Sequence, residues 1–189
     1  CLGRGGGKSS TAEGIIPFVG MRKSRRFALY VSGTQEQAIK HLNDVAQIMS
    51  ERIGVNRKTD KYGNSKGWST QKLRVSDGFT VVALGLDVAS RGMKVDGARP
   101  DLIILDDIDD EMDSFEMVQR KCETIKNAII PTMSTSGTVM FVQNAIHANS
   151  IMQMFFDDMT KYFNEEDTFI SVHIGENYND VIVGDFRNA

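Results

Sequence analysis

Apolar residues fall along the chain in two distinct rhythms. Unalternated runs occur at Phe27 to Val31 in RRFALYVSG, at Leu102 to Leu105 in DLIILDD, and at Thr138 to Val142 in GTVMFV. Such runs predict strands buried on both faces, the kind that parallel sheets use. Between them the spacing turns helical. KSSTAEGIIPFVGM places Ile15, Ile16, Phe18, Val19 and Met21 on a first helix. TQEQAIKHLNDVAQIMSERIG repeats Ala38, Leu42, Val45, Ile48, Met49 and Ile53 behind the capping residue Thr34, and Gly54 ends it. A further helix is expected between Glu116 and Ile129, stopped near Pro131, and another after a cap at Asn149 or Ser150. KLRVSDGFTVVALGL reads as a hairpin that turns at Asp77 and Gly78, and TFISVHI as a short strand. From Val55 to Thr70 the chain is polar, an exposed loop in which Arg57, Lys58, Lys61 and Lys66 surround Tyr62 and Trp68. Strands alternating with helices predict an α/β fold with a mainly parallel central sheet covered by helices on both faces.

Composition narrows this picture. With 189 residues, 41% of them apolar, the chain buries one core and forms a single domain over residues 1–189. A net charge of −3 gives no global basic field for nucleic acid, so any polyanion contact must be local. No apolar stretch of about eighteen residues exists, and no secretory leader pattern, so a cytosolic protein is expected. Cys1 and Cys122 fit neither a metal spacing nor a disulfide framework. Cys122 is expected to pack in a helix. The opening Cys1 stands at a loop that normally follows a strand, so upstream sequence is expected to be missing.

Two segments carry chemistry. In GRGGGKSS, Gly5, Gly6 and Gly7 free the backbone to present N–H groups to an anion. Lys8 adds a cation for the outer phosphates, and Ser9 a hydroxyl for a magnesium ion. The phosphate-loop pattern is incomplete, since Leu2 stands where it asks for glycine and Gly3 comes one place late. Taken alone, the stretch also fits a flexible glycine-rich terminus. The second segment is the acid cluster Asp106, Asp107, Asp109, Asp110 and Glu111, which follows a buried strand at the edge where doubly wound sheets bind ligands. Solvating a loop and capping the next helix is its plainer role.

Together GRGGGKSS, YVSGTQEQA, SRGMKVDGARPDLIILDDIDDE and GTVMFVQNAIHANSIM resemble the ATPase domain of the large terminase subunit of tailed bacteriophages. The resemblance implies a RecA-like P-loop NTPase of ASCE type that binds ATP and Mg2+ and drives double-stranded DNA into a capsid. Lys8 and Ser9 would hold phosphate and magnesium, with Gly3, Arg4, Gly5, Gly6, Gly7 and Ser10 lining the nucleotide and Asp106 holding the metal through water. Where the family usually has a water-orienting glutamate this chain has Asp107, which leaves Asp107 and Glu111 as candidates for that role. Asn144 and His147 would stand in the coupling segment next to the γ-phosphate. Arg4 within the subunit, or Arg91 reaching a neighbouring one, would neutralise transition-state charge. The implied partners are the portal protein, the small terminase subunit and other copies in a ring, in the cytoplasm of an infected bacterium and with no membrane. An N-terminal strand with the adenine-binding segment and a C-terminal nuclease domain would lie outside this fragment, which is therefore expected not to cut DNA. A helicase or other translocating ATPase, and a nucleotide-binding module without turnover, are the rival readings.

Overall fold

The computed structural model describes residues 7–52, 54–55, 58–63, 67–89, 97–143, 150–157, 171–174 and 181–184. In chain order the elements are α1 (Lys8–Met21), β1 (Phe27–Ser32), α2 (Gln35–Gln47), β2 (Lys72–Arg74), β3 (Thr80–Gly85), β4 (Leu102–Asp106), α3 (Phe115–Thr124), β5 (Thr138–Val142), α4 (Ile151–Asp157), β6 (Ser171–Ile174) and β7 (Val181–Gly184). β1 to β5 form one sheet in the order β2-β3-β1-β4-β5. Three of its pairings are parallel, β1 with β3, β1 with β4 and β4 with β5, and β2 runs antiparallel to β3 as the expected hairpin. β6 and β7 make a separate antiparallel pair; β6 falls within the expected TFISVHI strand.

Strand alternation sends residues of the central strands to two cores. On one face Ala28, Tyr30 and Ile104 meet Ala12 and Ile16 of α1 and Leu42 and Val45 of α2. On the other, Leu29, Val31, Ile103 and Leu105 meet Val118, Cys122 and Ile125 from α3 and the turn after it, with Ile151 and Phe155 of α4. Helices thus cover both faces, and Cys122 is a packing residue. α2 starts where expected because the Thr34 side chain accepts from Gln37 N and the Gln37 side chain accepts from Thr34 N, a reciprocal cap. A π-helical turn, Ile48–Arg52, prolongs it.

β5 departs from the expectation of a buried strand. Thr138 is exposed, Val139 to Phe141 are half-buried and only Val142 is buried. Its place at the sheet margin explains this, since among the described strands only β4 pairs with it. Phe141 still finds cover by packing edge-on against Phe155, with 5.3 Å between ring centroids. Among the described residues, no helix is long and apolar enough to cross a membrane.

Candidate functional site

Parallel strands β1 and β4 end side by side, and the first turn of α1 reaches the same edge of the sheet. Gly7, the residue before α1, sits at φ 69°, a left-handed conformation that glycine adopts without strain. No side chain caps the N-terminus of α1; instead the Thr11 N–H and hydroxyl both donate to Gly7 O at 2.8 Å. Helix geometry then turns Ser9 inward, where its hydroxyl donates to Asp106 Oδ1 at 3.2 Å across a separation of 97 residues. The glycine-loop serine and the strand-end aspartate singled out in the sequence therefore meet.

Asp106 is 1% exposed, so its carboxylate needs partners. Its Oδ2 accepts a short hydrogen bond from the Tyr30 hydroxyl, and His41 Nε2 lies 4.0 Å away. The Tyr30 ring stacks on His41 with centroids 5.2 Å apart, and His41 Nδ1 lies 2.8 Å from Glu13 Oε1. Burial, then the Asp106 charge and hydrogen bond, push the Tyr30 phenol well above its ordinary range, so it stays a neutral donor. Partial burial pulls the Lys8 ammonium down, while the charges of Asp106 and Asp107 hold it up. Lys8 therefore feels both carboxylates. Ser32, the last residue of β1, lies on the same strand face as Tyr30, and its fully buried hydroxyl has no partner among the described residues.

The rest of the acid cluster divides by role. Asp107 is exposed and has φ 50°, a left-handed backbone that Asp and Asn tolerate better than longer side chains. Asp109 is buried and accepts the Ile151 N–H with both oxygens at 3.1 Å, tying the acid loop to the start of α4. Ser150 caps α4 as expected, accepting from Gln153 N at 3.3 Å. Asp110 accepts from Met112 N, Asp113 pairs with Lys121, and Glu111 lies exposed in the turn between them. Ser10 is exposed on α1. Gly3, Arg4, Gly5, Gly6, Arg91, Asn144 and His147 lie outside the described residues.

Three members of the Asp106 network are not among the site residues expected from the sequence: Tyr30, His41 and Glu13. The signal was present. His41 shares the core-facing stripe of α2 with Ala38, Leu42 and Val45, and Glu13 stands between Ala12 and Ile16 on α1. Ionisable residues rarely occupy such positions without a partner. Comparison with known protein families, curated proteins and solved structures found no match to this chain.

Proposed function

We propose that the chain is a magnesium-dependent ATPase domain with a RecA-like P-loop fold, of the kind that drives double-stranded DNA into a viral capsid. The observation that carries this reading is the contact between Ser9 Oγ and Asp106 Oδ1, which joins the glycine-loop helix to the end of a buried parallel strand. The donors present fit Mg2+, because a hydroxyl and a carboxylate are hard oxygen ligands and the Ser32 hydroxyl, without a partner among the described residues, adds a third polar group on that face. Bound Mg2+ supplies neutralising charge to the transferred phosphate.

The chain's own groups supply the rest. Gly7 and the uncapped first turn of α1 present N–H groups toward the phosphates. Lys8 adds positive charge, which Asp106 and Asp107 help it to keep. Tyr30 occupies Oδ2 of Asp106, and Oδ1 accepts from Ser9, so Ser9 and Asp106 are the residues that would hold Mg2+. Asp107, exposed just beyond β4, orients the attacking water. Phosphate release and nucleotide binding by the purified chain, with and without Mg2+, test the reading. Wild type is expected to bind ATP only with Mg2+, Lys8→Ala to lose turnover while keeping its fold, and Asp106→Asn to lose the Mg2+ dependence. Turnover retained in Lys8→Ala refutes the site. Binding without turnover in wild type supports a nucleotide-binding module instead. Strand separation in place of packaging of blunt duplex would support a helicase.

A further inference from the structure

We propose that Glu13, His41 and Asp44 form a site for a first-row divalent transition metal, separate from the Ser9–Asp106 pair. His41 and Asp44 lie three positions apart on one face of α2, opposite Glu13 of α1. Donor atoms of the three lie within 4.8 Å of one another. His41 Nδ1 and Glu13 Oε1 are 2.8 Å apart, so sharing one tetrahedral ion at roughly 2.0–2.2 Å would spread them by only about half an ångström.

Charge favours a cation here. Among the described residues the Glu13 carboxylate pairs only with His41, and the Asp44 carboxylate makes neither an ion pair nor a hydrogen bond. A divalent ion offsets both carboxylates at once. The Glu13 side chain is 11% exposed and that of His41 19%, so the imbalance is only partly screened by water.

Orientation supplies a third argument. Stacking on Tyr30 holds the imidazole with Nδ1 toward Glu13 and Nε2 toward Asp106, 4.0 Å from Oδ2. Metal-bound histidines commonly hydrogen-bond a carboxylate through their second ring nitrogen, and the 4.0 Å gap here is about 1 Å longer than such a bond. One imidazole with two carboxylates suits Zn2+, Mn2+ or Fe2+, and the imidazole disfavours Mg2+ and Ca2+. Three protein ligands leave a position open to water.

Zn2+ and Co2+ titrations of the full chain, kept reduced and in millimolar Mg2+ to fill oxygen-only sites, decide the matter. Calorimetry is expected to give one equivalent bound with micromolar or tighter affinity, and Co2+ to acquire a visible absorption band. Asp44→Asn and His41→Ala should each weaken binding at least ~10-fold, with circular dichroism reporting the fold. Should His41→Ala misfold for want of its stacking partner, Asp44→Asn decides alone, because it keeps the Asp44 backbone and the side-chain size and the carboxylate makes no hydrogen bond or ion pair among the described residues. Asp106→Asn should leave the stoichiometry unchanged. Absence of heat and of the Co2+ band up to millimolar metal overturns the proposal and leaves a Glu–His hydrogen bond. Binding undiminished in Asp44→Asn overturns it too, moving the ion to other ligands such as Cys1, Cys122 or His173. None of these outcomes depends on whether the chain hydrolyses ATP.

Discussion

Replacing Tyr30 with phenylalanine removes one oxygen atom from a fully buried ring and leaves the stacking on His41 in place. The lost contact is a hydrogen bond to the buried Asp106 carboxylate, and such charge-assisted bonds contribute about 1.5–3 kcal/mol. With a urea slope of about 2–3 kcal/mol/M for a chain of this size, a loss of about 2 kcal/mol lowers the unfolding midpoint by ~0.7–1 M. Far-ultraviolet circular dichroism in urea reads this directly. A second step isolates the charge. In an Asp106→Asn background the same change removes a neutral hydrogen bond of about 0.5–1.5 kcal/mol, so the double-mutant cycle should return a coupling near 1 kcal/mol. A Tyr30→Phe effect below ~0.5 kcal/mol in both backgrounds would refute the reasoning, because it would mean that Asp106 is satisfied without the phenol.

Other perturbations probe separate features. Gly20→Ala sets a methyl group 2.6 Å from Cδ1 of Phe79 and should destabilise by ~1–3 kcal/mol, read as a lower urea midpoint; an unchanged midpoint would show that Phe79 moves aside freely. Asp107→Gly should raise stability by about 1 kcal/mol by relieving the left-handed backbone, while abolishing turnover if Asp107 orients water. A glycine variant no more stable than wild type contradicts the strain. The Glu116 carboxyl, held down by its own backbone N–H and then by the Ser114 hydroxyl, should titrate below its ordinary 4.5 by NMR. Its contribution to the start of α3 is complete above 4.5 and fades as pH falls through the lowered value, and Ser114→Ala should move the titration back up.

Legibility in the sequence followed local determinants. α2 was readable because Thr34 and Gln37 cap each other just ahead of an apolar period, and the β2–β3 hairpin because Asp77 and Gly78 supply the turn. The Ser9–Asp106 meeting was legible because a glycine loop opening a helix and acids ending a buried strand have complementary chemistry. β5 misled because an apolar run has the same composition at a sheet margin as at its centre; strand order, which decides burial, comes from crossovers that no local window contains. Tyr30 was hidden for a related reason. In an apolar run it counts as a core ring, and only its hydroxyl, aimed at a residue 76 positions away, makes it polar. Asp109 looked like a solvated acid among acids, yet it is buried because its partner is a backbone N–H of α4.

The central position of β1 also governs the order in which the protein assembles. β1 is flanked by β3 and β4, both later in the chain, and the Phe27 N–H waits for the carboxylate of Asp101, 74 residues downstream. Closing loops of that length before any contact repays them makes parallel sheets slow to form. During synthesis β1 therefore emerges from the ribosome as an apolar strand with both edges bare, first acquiring β3 with its hairpin partner β2 and only later β4. Until β4 arrives, Leu29 and Val31 lack Ile103 and Leu105 beside them on their face of the sheet. That nascent interval is when the chain is most exposed to misassociation and when a chaperone holding β1 would have most effect.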